Sequence, residues 1–196
     1  MRFAYNERKA AEAAAWLLKF GGGRMQYMKL LKLMYLADRR ALIETGASIT
    51  GDQMFSLPHG PVLSQVLDNL TNPPRGDSAW REFVSPPADY NVSLQREPVR
   101  DETYLSAYQL QILEETWEQF GAMDQWALVD WLHSVLPEWK DPDGSAYPIE
   151  PEEILRAAGG SEEEIAAVGD DAEADWVIDS VLKRAEERAE WPARAR

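Results

Sequence analysis

Cysteine is absent from the 196 residues. That removes disulfides, thiolate nucleophiles and sulfur-ligated zinc, and it fits a reducing compartment, so a cytoplasmic location is expected. Histidine is scarce: His59 and His133 are the two copies, too few for a histidine-built metal centre without carboxylates from distant segments. No apolar run approaches the roughly 20 residues a membrane span requires. The first 20 residues do not read as a secretory leader, because Glu12 and Lys19 break their apolar run and no cleavage site follows. Phosphate-cradling glycine patterns are missing too. The triple glycine at 21–23 has no strand before it and reads as a helix stop. His59 stands in Leu-Pro-His-Gly-Pro with no serine or acid at a recognisable catalytic spacing, and His133 shares a helical face with Trp126 and Val129, the setting of a packed histidine. No enzymatic activity, cofactor or metal is expected.

Positive charge is the other deficit: 20 basic residues face 34 acidic ones, a net charge of −14, which argues against a large phosphate-binding surface. The imbalance is one-sided along the chain. Residues 1–100 carry a net +3 and residues 101–196 a net −17. The acidic half reads either as a solubilising coat or as a face that steers a basic partner.

What is present is mostly helical. Asn6 caps a helix running to Phe20, and a second, about Met25 to Thr45, ends at Gly46. On the second, Leu30, Met34, Ala37 and Ala41 recur at helical steps, while Lys29, Lys32, Arg39 and Arg40 form a basic stripe that reads as a solvated face. Gln53 to Leu57 alternates as a short strand, and Gly60-Pro61 is expected to open a third helix running to about Leu70. Two further strands are expected around Trp80–Val84 and Asn91–Gln95, making one small antiparallel sheet with the first. Helices follow at about Glu102–Phe120 and after Asp124. Short ones start at Pro151 and Ser161, and a last one spans about Ala172–Glu190, with Ala174, Ile178, Val181 and Ala185 as a buried stripe and Asp179, Lys183 and Glu187 in supporting register. The order loosely suggests a winged helix, yet no lysine or arginine lies between Arg40 and Arg75, so DNA reading is disfavoured. Eight tryptophans are many for this length; Trp139, Trp176 and Trp191 are the ones least readily assigned to the core, and each suits either a loop clamp or a partner surface.

Lys29-Leu30-Leu31-Lys32-Leu33-Met34-Tyr35-Leu36-Ala37-Asp38, then Ile49-Thr50-Gly51-Asp52, then Pro58-His59-Gly60-Pro61-Val62 resemble the core motifs of the Panacea domain, the SocA-like antitoxins also described as phage-associated proteins. Trp126 through His133 with Pro137-Glu138-Trp139 looks like that family's second signature. The likeness covers about Ala4 to Ile154, with His59 replacing a tyrosine frequent before Gly-Pro. The resemblance implies an antitoxin of a toxin–antitoxin pair, with a role in phage defence, that binds the toxin encoded by the adjacent gene. A proteolytic adaptor delivering the toxin to a AAA+ protease, and more remotely a winged-helix-like DNA-binding regulator, are the alternatives.

The expected fold is α+β, a mainly α-helical domain with a small antiparallel β-sheet. Residues 1–158 form the Panacea domain and 159–196 an acidic helical extension packed on it. The partner-binding residues implied are Lys29, Lys32, Tyr35, Asp38, Thr50, Gly51, Asp52, His59, Gly60, Pro61 and Trp139. Neither nucleic acid nor membrane is an expected partner, and a homo-oligomer is compatible with the sequence.

Overall fold

Alanine dominates α1 (Glu7–Phe20), and that determines where the helix sits. The computed structural model describes residues 1–194, with side chains through Ala185 apart from Lys183. Asn6 Oδ1 accepts from the Lys9 amide at 3.0 Å and starts α1. Ala10, Ala11, Ala13, Ala14 and Ala15 are all buried, small enough for neighbours to enclose the helix on most sides. Gly22 and Gly23, at φ of +80° and +88°, then swing the chain into β1 (Arg24–Gln26) and α2 (Tyr27–Thr45). Met25 is therefore a strand residue rather than the start of a helix, and it pairs with Val92 of β4 (Asn91–Ser93).

β2 (Met54–Leu57) and β3 (Gly60–Leu63) form a tight hairpin across Pro58-His59, with Gly60 at φ +89°. β5 (Tyr147–Ile149) pairs with the other side of β2, giving the antiparallel order β3-β2-β5. Two small sheets thus replace the single one expected. Pro61 does not open a helix: it lies in β3 opposite Ser56. β3 is an edge strand, where a residue without an N–H is tolerated. The helix α3 (Ser64–Thr71) begins three residues later.

Trp80–Val84, expected as a strand, contains α4 (Ala79–Phe83), capped by Ser78 Oγ accepting from the Arg81 amide. Trp80 and Phe83, three apart, both face the core, which is a helical spacing. α5 (Ala107–Phe120) starts at a Ser106–Gln109 capping box, five residues later than expected, and α6 (Gln125–Val135) at Asp124 as expected. α7 (Pro151–Ala157) precedes α8 (Glu162–Arg194), one continuous helix where two were expected.

The supposed buried stripe of α8 is solvent-facing: Ala174, Ile178, Val181 and Ala185 are exposed, while Ile165 and Ala172 are buried. The side chains of Lys183, Glu187 and Trp191, singled out from the sequence, lie outside the described ones. Among the described residues no helix is long and apolar enough to cross a membrane. The fold is a predominantly helical α+β arrangement.

Candidate functional site

Lys32, Tyr35 and Asp38, three residues apart on α2, are polar and buried, and half-buried Arg39 continues the same side. The basic stripe is therefore not simply a solvated face. Each cation reaches a distant segment: Lys29 Nζ donates to the Gly121 carbonyl at 2.6 Å and sits over the Trp117 ring, and Arg40 pairs with Glu44 and Glu115. Arg39 Nε donates to Glu138 Oε1 at 2.6 Å, and the Tyr35 hydroxyl donates to the same oxygen at 3.0 Å. Burial, then the Glu138 carboxylate, pushes the Tyr35 hydroxyl well above its ordinary range.

Asp38 organises the loop after α2. Its Oδ1 accepts from the amides of Ile49 at 3.0 Å and Thr50 at 3.1 Å, and its Oδ2 from the Thr50 hydroxyl. Burial nevertheless raises its carboxyl to about 7. Asp52 carries the arrangement onward by accepting from the amides of Gln65 at 3.0 Å and Val66 at 2.9 Å, the free donors of the first turn of α3. Its own carboxyl is raised, burial outweighing those bonds. Between them Gly51 holds φ +70°, and a Cβ there would lie 2.1 Å from the Ala4 carbonyl oxygen. The Asn6 amide completes the knot with a 2.8 Å bond to the Thr50 carbonyl.

A second cluster forms where α2, the hairpin and α6 meet. The ammonium of Lys32, whose residue is 1% exposed, donates to the Pro61 carbonyl at 2.8 Å, and no carboxylate among the described residues pairs with it. Burial lowers its pKa to about 7. A Cβ on Gly60 would stand 3.4 Å from His133 Nε2 and 3.5 Å from Lys32 Nζ, so both nitrogens converge on the one hairpin residue without a side chain. His133 Nε2 is buried with no hydrogen-bond partner among the described residues, and its ring stacks on Trp139 at 3.8 Å between centroids. Burial, then the Lys32 charge, lowers the imidazole pKa. Trp139 Nε1 donates to the Leu57 carbonyl at 3.1 Å, so this tryptophan clamps the loop after α6 onto the hairpin. Above the cluster His59 meets Trp126 edge to face at 5.7 Å, and Trp126 is 53% exposed.

The structure thus gathers Lys32, His59, Gly60, Pro61 and Trp139 in one place and Asp38, Thr50, Gly51 and Asp52 in another. Lys29 stands apart, against Gly121 and Trp117, and Tyr35 is committed to Glu138. Lys32, Tyr35, Asp38, Thr50, Asp52, Gly60 and Pro61 are buried, Lys29, Gly51 and Trp139 are half-buried, and His59 alone of the eleven is exposed. The buried seven are each engaged in holding a loop, hairpin or helix end. Trp126, His133, Glu138 and Arg39 were missing from the predicted set. The seven-residue step from Trp126 to His133 puts both on one side of α6 and was the available signal. Glu138 stands in the Pro137-Glu138-Trp139 signature, but its pairing had no local signal, since its partners are about a hundred residues away in sequence.

A family model described as antitoxin SocA-like, Panacea domain, matches residues 30–140, more than half of the chain and a span that includes both clusters. No curated protein and no solved structure matches the chain.

Proposed function

The chain belongs to the SocA-like Panacea-domain family, and from that premise we propose that it is a cytoplasmic antitoxin that silences a protein toxin encoded beside it by direct binding. The observation that supports this reading is the family match itself, which runs from the early part of α2 to the loop bearing Trp139. The contact surface is the exposed rim over the second cluster: His59 and Trp126, which meet edge to face, with exposed Pro58 preceding His59 in the hairpin. An aromatic side chain half out of the surface, with a second ring edge to face against it, suits a binding hot spot. The buried polar residues act as positioning groups that fix the hairpin and the Trp139 loop against α2, so that the rim is formed before the partner arrives.

Co-expression tests the reading. The neighbouring gene alone should arrest growth, and this protein should relieve it; a neighbour that is harmless alone overturns the proposal. The double substitution H59A/W126A should abolish relief while leaving the thermal midpoint within about 3 °C, as expected for surface positions. Full relief by that variant moves the contact elsewhere. The toxin's half-life separates the two routes to silencing, because occlusion leaves it long-lived and delivery to a AAA+ protease shortens it.

A further inference from the structure

His133 sits among groups that suit a neutral ring. It stacks on Trp139 with 3.8 Å between centroids and 12° between planes. Its Nε2 is buried with no hydrogen-bond partner among the described residues. A Cβ added to Gly60 would lie 3.4 Å from that nitrogen and 3.5 Å from the Lys32 ammonium, so the two nitrogens meet over one backbone position. Lys32 gives its bond to the Pro61 carbonyl. The charged and titratable groups facing the imidazole come from every element around it: Lys32 from α2, His59 from the hairpin, Asp130 from α6 itself and Asp141 from the loop after α6. Burial first and the Lys32 charge second oppose a proton on the ring, and together they outweigh the two aspartates that favour one.

The stack is joined to the hairpin. Trp139 Nε1 donates to the Leu57 carbonyl at 3.1 Å, and the next residue, Lys140, donates its amide to Ser56 Oγ at 3.3 Å. Both acceptors belong to the end of β2, just before Pro58-His59. A proton on His133 upsets this packing. The imidazolium has N–H donors on both nitrogens, and the one on Nε2 is buried without an acceptor and beside a second cation. Lys32 holds its own proton below about 7, so that second cation is in place while the ring titrates. An indole face attracts a cation, but staying over Trp139 gives Nε2 no acceptor.

We infer that His133 is a proton-operated latch on the hairpin: neutral, it packs between Trp139 and Gly60 and fixes the tip; protonated, it leaves the stack and the tip loosens. The latch adjoins the His59–Trp126 rim, and its consequence, binding that weakens as pH falls, rests on the reading of that rim as the partner contact. The latch itself is measured in the free chain, so its failure and a failed co-expression assay are distinguishable.

NMR of the full chain from about pH 8 to about pH 5 is the test, with the Trp139 indole proton assigned from its absence in W139F. The His133 ring protons should titrate with a midpoint below the ordinary 6.5. The Overhauser contact between the His133 and Trp139 rings should be lost over the same range. The Trp139 indole and the Leu57 and Gly60 amides should shift with that midpoint. H133Q, which cannot take the proton, should abolish these shifts. Asp38, raised to about 7, titrates nearby in pH but serves the Ile49 and Thr50 amides, so H133Q should leave the response of those two in place. Ring contact that survives once the imidazole is protonated overturns the inference, and that measurement needs no variant. Hairpin shifts that persist in H133Q also overturn it, and their disappearance in H59Q would assign the response to the exposed histidine instead.

Discussion

Lys32→Met removes an ammonium from the core and keeps the length of the side chain. Burial lowers that ammonium from its ordinary pKa of 10.5 to about 7. In the unfolded chain the lysine keeps its proton to about pH 10, so between those two values the unfolded state binds more protons than the folded state and stability rises with pH. At about 1.4 kcal/mol per pH unit of that separation, the buried charge costs about 4 kcal/mol at pH 7 and less than about 1 kcal/mol at pH 10. Methionine escapes this cost but strips the Pro61 carbonyl of its donor, a loss of about 1–3 kcal/mol. The variant should therefore be more stable than its parent by about 1–3 kcal/mol at pH 7, and the order should reverse by about pH 10. Urea unfolding followed by tryptophan fluorescence at both values measures this, and groups that titrate alike in the two proteins cancel in the difference. A stability difference that does not move with pH would show that the ammonium is not isolated in the fold, and the reasoning would fail.

Removing the same charge should raise the His133 pKa toward its ordinary 6.5, because Lys32 is the strongest charge depressing it; an NMR titration of the imidazole protons that is unmoved by the substitution refutes their proximity. Asp38→Ala leaves the Ile49 and Thr50 amides without their acceptor and should cost about 3 kcal/mol, whereas Asp38→Asn keeps an acceptor oxygen and should cost much less. Equal losses in urea denaturation would count against the hydrogen-bond account. As pH climbs from about 3.8 to about 7 Asp38→Asn should gain on the parent, since the raised carboxyl withdraws its stabilisation over that window, and above about pH 7 the difference should stay constant. Gly51→Ala should destabilise by more than about 3 kcal/mol, against about 1 kcal/mol for Gly23→Ala: both glycines have positive φ, and only the former faces a backbone clash. Similar thermal midpoints for the two would mean that the N-terminal segment yields.

Elements whose signals are local were legible in the sequence: the Asn6 and Asp124 caps, the Gly46 stop and the β2 alternation all sit where neighbouring residues dictate. Misreadings occurred where distant chain decides. Pro61 has the local chemistry of a helix start, yet hairpin pairing with Ser56 and the bond from Lys32 make it an edge-strand residue. Ile178 and Val181 have the periodicity of a buried face, and periodicity cannot tell a face that meets the core from one that meets water. At the candidate site the motif residues were visible as a resemblance, but not the division of labour among them. Lys32 on a helix with Arg39 and Arg40 looks solvated until the hairpin closes over it. Glu138, from a loop, becomes the counter-charge that Arg39 needs.

The polar groups along α2 hold the hairpin, the Thr50–Asp52 loop and the Glu138 loop from beneath, while His59 and Trp126 stand outside that frame. On the proposed reading, stability and recognition are thereby assigned to different side chains. A library randomised at 59 and 126 would vary the outer face without touching a buried bond, and selection for a new partner could proceed with little loss of folded protein. On that reading the same partition would let one scaffold drift in specificity while its interior stays fixed.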